Sequence, residues 1–588
     1  MPGVVRSADS QIAQGRPGPT MGLGAQAASL AVLRWKYAGP GEGTPADVNR
    51  RVARALAEAE APGQRARWAT RFEHALQAGF IPAGRMLAHA GLSPARPLIN
   101  CYVQPLNPAR GEDHRGQTTL TDALDQTAHT LALGGGVGLD FSVLASARVL
   151  PALHAFERVA RTHGNRSRPA ALMGVLHADH PDLEAFIDAK ASGGLTHFNL
   201  SVGLSDAFMQ RVQANEPEAS ARWQRLVHAA WHHGEPGVLF LDTMNRDDSL
   251  AWRETLRATN PCGEQPLPPH GSCCLGSIDL SRLVQQPFSP GARFDFDGLA
   301  ALGSAAVRML DNVIDLTAWP LAAQRQEALQ TRRIGLGFTG LADALIMLGL
   351  RYDRAEGRAQ AAHIARVLRN SAVRASVDLA QERGPFPCFD ATRHLAAPGF
   401  ASRLPANLRQ AIAQHGLRNS HLLSVAPAGS ISLVMADHVA SGIEPVWAWQ
   451  MRRPVHRRDG RTVELDFDHH AWRLYRALQP TGPLPPAFIT VHQMTPLKQL
   501  KMVEAVIPFI DAAVSKTVYL GVQSTAAYVD RLLRHAWQHG LKGLTVYRPN
   551  AVIAPLLPAP CAAERHPAAT IRAQPRGGLP QEPNCTPP

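Results

Sequence analysis

Between about residue 96 and residue 550, short apolar runs of strand character alternate with segments of helical periodicity, and this alternation limits the fold more than any other feature. ALDQTAHTLALG reads as a helix closed by Gly134, GLDFSVL (138–144) as a strand, and LTHFNLSVGL (195–204) as another. SDAFMQRVQA reads as a helix opened by Ser205 with Asp206 in its first turn. AALGSAAVRMLDNVIDL is the pattern of a buried helix, and LLSVAPAGSIS (422–432) that of a strand entering a tight loop. Pro508 kinks or breaks the helical LKQLKMVEAVIPFIDAAVSKT, and TAAYVDRLLRHAWQHG ends at Gly540 before the strand-like LTVYR. Strands separated by helices need crossover connections, which implies an α/β fold with parallel strands.

The flanks differ in composition. Residues 1–28, rich in Gly, Pro, Gln and Ser, read as a disordered N-terminus. Residues 29–95 form a helical N-terminal region carrying two amphipathic patterns, ADVNRRVARALAEAEA and RARWATRFEHALQAG. Residues 551–588 are proline-rich, lack periodicity and read as a mobile tail. The net charge of +12 comes from 60 basic and 48 acidic residues, and only six of the basic ones are lysine. The arginines are dispersed rather than gathered on a basic, aromatic-interleaved face, so nucleic acid is excluded as a partner. TRR (331–333) and MRRPVHRR (451–458) read as solvated or structural groups. No run approaches the length of a membrane-spanning helix, and GLGAQAASLAVL (22–33) has no cleavage site beyond it, so a cytoplasmic protein is expected. Seven cysteines, with no CxxC pair, argue against a disulfide framework and a structural zinc site, and no metal ligands are assigned.

Three glycine-containing motifs have bland readings beside functional ones. GLGFTG (335–340) matches G-x-G-x-x-G, but a helical segment follows it, with no second strand ending in an acidic residue. It reads as a turn packed closely against a helix. The cluster from Gly134 to Gly138 is either a helix cap and turn or a place where backbone nears a ligand. In APAGSIS (426–432), Gly429 permits a turn, Ser430 and Ser432 offer hydroxyls, and successive N–H groups can form an anion nest; an ordinary strand-to-helix turn fits equally.

NPCGEQPLPPHGSCCLGSIDL (260–280) is the most informative segment. Asn260, Cys262 and Glu264 alternate, so an extended chain projects all three from one face. Pro261 bars a central ladder position, which places them on a loop or strand end. The amide can hold hydroxyls, the carboxylate can take a proton, and the thiol can act as nucleophile or hydrogen-atom donor. Cys388, in GPFPCFD, reads as a small buried hydrophobe.

From about residue 30 to 550 the chain resembles the ribonucleotide reductases, specifically the adenosylcobalamin-dependent class II type. The resemblance is carried, in chain order, by KYAGPGEGTPADVNRRVA, FIPAGRMLAHAG, LINCYV, GGGVGLDFS, MGVLHADHPDLEAFIDAK, FNLSVGLSDAFM, NPCGEQPL, SCCLGSIDL, RRIGLGFTGLADALIMLGLRY, HVASGIEPVWAW and GLKGLTVYRPN. It implies that residues 96–550 form a ten-stranded α/β barrel with a central finger loop. Cys262 would be oxidised on that finger to a thiyl radical that abstracts the 3′ hydrogen of a ribonucleotide. Glu264 would take the 3′-hydroxyl proton, and Asn260 would hold the same part of the ribose. Cys101 and Cys273 would supply two electrons and become a disulfide as the 2′-hydroxyl leaves as water; a vicinal Cys273–Cys274 bridge would be strained. Asn100, Gly134, Pro427, Ala428, Gly429, Ser430 and Ile431 would bind the substrate. The implied cofactor is adenosylcobalamin, and the implied partners are the ribonucleotide, a thioredoxin-like or small-thiol reductant, and a second copy of the chain. Class I large subunits carry adjacent tyrosines near the barrel's C-terminal end. Here Tyr547 follows Val546, so a locally generated radical is expected. DHVASG (437–442) lacks the spacing of a base-off cobalamin motif, and no cobalt ligand is assigned.

The chain departs from the family pattern in three places. The stretch after the DFS strand is short, and its loop reads HGNRSRPAALM (163–173), with Pro169 where flexible glycine is usual. This leaves effector control and dimerisation open. Ala428 stands where the family prefers Thr, at a cost of about 0.5–1.5 kcal/mol for a lost hydroxyl contact. The tail carries Cys561 and Cys585 far apart, where a close pair is usual. These departures define the alternative, a catalytically impaired nucleotide-binding paralogue with a regulatory or partner role. The intact set of Cys101, Asn260, Cys262, Glu264 and Cys273 favours the active enzyme.

Overall fold

The computed structural model describes residues 23–549 apart from 107–118, 165–169, 191–192, 397 and 458. Pro169, residues 1–22 and the tail with Cys561 and Cys585 lie outside the described residues.

The N-terminal part is helical, as its patterning requires. Val48, Val52 and Leu56 recur at four-residue spacing and are buried along one face of the helix Pro45–Ala57. Thr44 caps it: Thr44 Oγ1 accepts from the Asp47 N–H (3.2 Å) and Asp47 Oδ2 accepts from the Thr44 N–H (3.0 Å). Arg308, on the buried helix Phe296–Leu316, donates to Glu60 and Glu382 (2.6 Å each) and ties this region to the rest of the chain. The segment expected to be disordered is docked at its end. A helix starts at Ala27, and Gln26 accepts from the Asp468 N–H (2.8 Å) and donates to its carbonyl (3.0 Å).

In chain order the first strands are β1 (Phe80–Pro82), β2 (Cys101–Val103), β3 (Gly136–Asp140), β4 (Leu172–His177), β5 (Phe198–Leu204) and β6 (Gly237–Phe240). They are followed by β7 (Ala258–Thr259), β8 (Pro266–Leu267), β9 (Ser272–Cys273) and β10 (Leu275–Asp279). After the small hairpin of β11 (Val284–Gln285) and β12 (Arg293–Phe294) comes β13 (Gly335–Thr339). A second hairpin, β14 (Gln450–His456) with β15 (Thr462–Asp468), precedes β16 (Thr517–Tyr519) and β17 (Gly543–Tyr547). Strands β2 to β6 are mutually parallel, with helices in the crossovers. Antiparallel pairings add β9 beyond β2 and β17 beyond β6, and β16 lies parallel to β17, giving an eight-stranded sheet. A second sheet has the order β1-β10-β13.

The expected closed ten-stranded barrel is not detected as one continuous ladder. Residues 422–425, expected to be a strand, bond to the chain on either side but form only the isolated parallel bridges Leu336↔Leu423 and Val425↔Val514, not a continuous ladder. The reason is local: the Leu422 and Leu423 N–H groups donate to the Asp511 carboxylate (2.7 Å each) instead of a strand. GLGFTG is also corrected. It is the buried strand β13, not a turn. A Cβ on Gly335 would lie 2.2 Å from Gln265 Nε2, and one on Gly337 would lie 2.2 Å from the Ser424 carbonyl oxygen. The glycines allow close packing, but of a strand against chain rather than of a turn against a helix. GLDFSVL leaves strand geometry after Asp140 for a short 3₁₀ turn, Phe141–Val143. Among the described residues no helix is long and apolar enough to cross a membrane.

Candidate active site

Residues 260–265 form the tip of the β7–β8 hairpin. The turn closes on itself. The Gly263 N–H donates to the Asn260 carbonyl (3.0 Å), with Gly263 at φ +81°. The Asn260 N–H donates to the Gln265 carbonyl (3.1 Å), and Asn260 Oδ1 accepts from the Gln265 N–H (3.0 Å). Two outside segments grip the tip: Asn199 Nδ2 donates to the Pro261 carbonyl (2.8 Å), and the Ala513 N–H donates to the Glu264 carbonyl (2.9 Å). Strand β3 passes directly beneath. A Cβ on Gly138 would stand 1.9 Å from the Thr259 carbonyl oxygen, and one on Gly136 would stand 2.9 Å from the Pro261 ring. The backbone approach that this glycine cluster permits is therefore to the finger itself.

Asn260 and Glu264 converge, through this turn rather than along the extended chain that their spacing suggested: Asn260 Nδ2 donates to Glu264 Oε1 (2.8 Å). Both are buried, and Glu264 Oε2 has no hydrogen-bond partner among the described residues. Burial pushes the Glu264 carboxyl up to about 7, against the opposing pull of a backbone hydrogen bond and of the Asn260 bond. Such a group is poised to take or return a proton near neutrality. Cys262, between them, is exposed.

Cys101 on β2 and Cys273 on β9 are directly opposed in the antiparallel register. Burial raises the Cys273 thiol well above its ordinary range, and a hydrogen bond with Cys101 and the nearby Glu264 and Cys262 add to this. It therefore remains protonated. Cys274 faces away, its thiol donating to the Leu310 carbonyl (3.4 Å). Cys388 is half-buried rather than buried, and donates to Gln330 Oε1 (3.2 Å).

A cavity of about 740 Å³ is lined by Asn100 and by Pro427, Ala428, Gly429, Ser430 and Ile431. Asn100 Oδ1 is buried with no hydrogen-bond partner among the described residues. A short helix begins at Gly429, so the N–H groups of Gly429, Ser430 and Ile431 belong to a first turn, which lacks intrahelical acceptors. The Ala428 N–H is taken by Ser441 Oγ (2.8 Å). Gly134 does not line the cavity; its carbonyl accepts from the Arg85 guanidinium, which does. Lys36, Arg85 and Arg96 supply the cavity's cations, and sequence reasoning did not single them out. Lys36 and Arg85 stand inside two of the family-like blocks, but the three are too scattered to form a local motif.

A smaller cavity, about 200 Å³, shares Gly429 and is lined also by Trp447, Arg453, His469, Tyr519 and Tyr547. Trp447 Nε1, Arg453 Nε and His469 Nε2 are buried there without hydrogen-bond partners among the described residues. Tyr519 and Tyr547 are register partners on β16 and β17, with ring centroids 6.1 Å apart. Tyr547 thus has a tyrosine neighbour in space that the sequence, read locally, concealed.

Comparison with known proteins gives the same family for both parts of the chain. Residues 100–220 and 216–547 match the ribonucleotide reductase barrel domain, and residues 24–94 match the ribonucleotide reductase all-alpha domain. The chain is 35% identical to the vitamin B12-dependent ribonucleoside-diphosphate reductase of Mycobacterium tuberculosis (strain CDC 1551 / Oshkosh), over 89% of this chain and 79% of that protein. It is 30% identical to the protein of the same name from Thermoplasma acidophilum, over 84% of this chain and 67% of that one. The solved class Id ribonucleotide reductase alpha subunit of Actinobacillus ureae shares the fold, with a TM-score of 0.71 at 18% identity, covering 91% of this chain and 99% of that chain. With its barrel and all-alpha regions both matched, the chain belongs to the ribonucleotide reductase large-subunit family.

Proposed function

We propose that this protein reduces ribonucleotides, ribonucleoside diphosphates in particular, to 2′-deoxyribonucleotides, with the radical seated on Cys262. The observation that carries the reading is the convergence of the buried Asn260–Glu264 pair and the opposed Cys101 and Cys273 around one exposed thiol. The preference for diphosphates rests on the names of the Mycobacterium and Thermoplasma relatives. With β1 and β9 left outside, the other strands of the two sheets and the segment 422–425 are read as one ring of ten, joined through the bridges at Leu423 and Val425.

Each residue has a task that its environment suits. The Cys262 thiyl takes the 3′ hydrogen atom. Glu264, with one oxygen held by Asn260 and the other unpartnered, takes the 3′-hydroxyl proton. One thiol of the pair protonates the departing 2′-hydroxyl, which leaves as water, the other delivers hydrogen to C2′, and closing Cys101–Cys273 to a disulfide supplies the two electrons. Glu264 then returns its proton to the 3′ oxygen as Cys262 returns hydrogen to C3′ and is a thiyl again. Lys36, Arg85 and Arg96, with the first turn at Gly429, suit the substrate's phosphates. A thioredoxin-like or small-thiol reductant reopens the disulfide, with Cys561 and Cys585 as its relay. A second copy of the chain completes the assembly.

Adenosylcobalamin is the proposed cofactor, and homolysis of its cobalt–carbon bond supplies the radical. The smaller cavity fits one edge of such a group. Its unpartnered Trp447, Arg453 and His469 nitrogens match the amides that fringe a corrin, and Val439, Val446 and Met451 give an apolar wall. With Tyr519 beside Tyr547, the choice of cofactor rests on the relatives and this chemistry, not on a missing tyrosine pair.

The test is deoxynucleotide formation from each ribonucleoside di- and triphosphate, with adenosylcobalamin and dithiothreitol and without iron, beside Cys262→Ala. Cobalamin-dependent product that the substitution abolishes is expected. Bound nucleotide without product in the folded wild type would overturn the reading in favour of the impaired paralogue.

A further inference from the structure

Outside the reductive site, one group of ligand-type side chains among the described residues gathers on the surface behind β16 and β17. Glu504 lies in the last turn of the helix Pro496–Val506, His535 lies in the last turn of the helix Ala526–Gln538, and His539 follows it. One ligand atom from each lies within 4.8 Å of the other two. We infer that Glu504, His535 and His539 form a binding site for a late first-row divalent cation, Zn²⁺ in particular, that clamps these two helices together.

Three observations support this. First, His535 and His539 are four residues apart at the end of one helix, so their rings share a face; the centroids are 3.8 Å apart and nearly parallel. Second, the rings are oriented. His539 Nδ1 donates to the His535 carbonyl (2.8 Å), which leaves Nε2 with its lone pair, the arrangement usual for a metal-bound imidazole whose other nitrogen is held by backbone. His535 Nε2 already meets Glu504 Oε1 (2.5 Å). Tetrahedral ligands around Zn²⁺ stand roughly 3.3 Å apart, so this contact would open slightly and the third ligand would move in. Third, the field is favourable. The last turns of both helices present partial negative charge in addition to the carboxylate. Nearby arginines are engaged elsewhere: Arg534 bonds Asp530 (2.9 Å), and Arg531 stacks over Tyr528.

Two imidazoles and a carboxylate suit Zn²⁺ over Mg²⁺ or Ca²⁺, with water completing the shell. The first helix packs on β16 and the second on β17, so the ion would brace the edge of the eight-stranded sheet. The site contains no cysteine, which is why a search for cysteine pairs passes over it.

The test is titration of the full-length, cobalamin-free chain with Co²⁺ read by visible absorption, then competition by Zn²⁺. The expected result is one saturable site whose spectrum lacks a thiolate charge-transfer band. Its affinity should fall at least about tenfold in His539→Ala and in Glu504→Gln. Zn²⁺ should raise the thermal midpoint of the wild type but not of His539→Ala. Because His539 is exposed, that variant should fold. No saturable binding to the wild type, equal affinity in all three proteins, or a thiolate-ligated spectrum would overturn the proposal.

Discussion

Cys101 and Cys273 face each other across the antiparallel pair β2–β9, and Cys274, one residue on, turns its thiol to the Leu310 carbonyl. Opposed residues in such a pair have Cα atoms about 4.5–5.5 Å apart, within the range a disulfide accepts. A single turnover without reductant should leave a Cys101–Cys273 bond, identified by peptide mass mapping, with Cys274 free. Cys273→Ser should lower dithiothreitol-driven turnover by roughly a thousandfold or more, while Cys274→Ser should not. A Cys273–Cys274 bond would refute the assignment.

The Glu264 carboxyl, pushed up to about 7 by burial, gives turnover a limb near neutrality. The ionised form accepts the proton, so kcat/KM should rise with pH through about 7, and Glu264→Gln should abolish that limb and cost about 10²–10⁴ in rate. Stability moves the other way. A carboxyl whose folded value is raised binds more protons folded than unfolded, so its contribution is most favourable below the ordinary value near 4.5 and is lost as pH rises toward 7. Glu264→Gln should therefore match the wild type in denaturation at pH 4 and exceed it at pH 8, by about 3 kcal/mol at most.

Gly138→Ala tests how the finger is seated. The new methyl would fall on the Thr259 carbonyl oxygen, a backbone atom that cannot step aside as a side chain could. Destabilisation of about 1–3 kcal/mol is expected in urea unfolding. A displacement of the finger by about 1 Å would also lower kcat about a hundredfold. A variant with unchanged kcat would show that β3 does not set the finger's position.

Tyr547→Phe separates two origins of the radical. If it arises beside Cys262 from the cofactor, the variant should keep its cobalamin-dependent kcat. If it travels through the Tyr519–Tyr547 pair, activity should be lost although the fold, read by circular dichroism, is intact.

Much of the site was legible because its residues are close in sequence. The spacing of Asn260 and Glu264 implied their convergence and Pro261 a loop, but the extended chain expected to put Cys262 on the same face is a tight turn that leaves Cys262 exposed while the other two are buried. The pairing of Cys101 with Cys273 came only from the family resemblance, since no local pattern reports which strands become neighbours. The meaning of the glycines was legible only as close approach. That Gly138 faces the finger and Gly337 faces the Ser424 carbonyl depends on segments over a hundred and over eighty residues away, respectively. Residues 422–425 were misread because a side chain, Asp511, takes the N–H groups a strand would have shared. The tyrosine neighbour of Tyr547 was hidden for a similar reason: Tyr519 is adjacent only across a ladder.

The bond from the Ala513 N–H to the Glu264 carbonyl has a consequence for biosynthesis. A chain emerging from the ribosome carries Cys101, Asn260, Cys262, Glu264 and Cys273 well before the segment that braces their loop exists. Until residues 511–517 are made, the loop that carries Cys262 lacks this brace. A message truncated before residue 513 would encode Cys101, Asn260, Cys262, Glu264 and Cys273 without the segment that braces their loop.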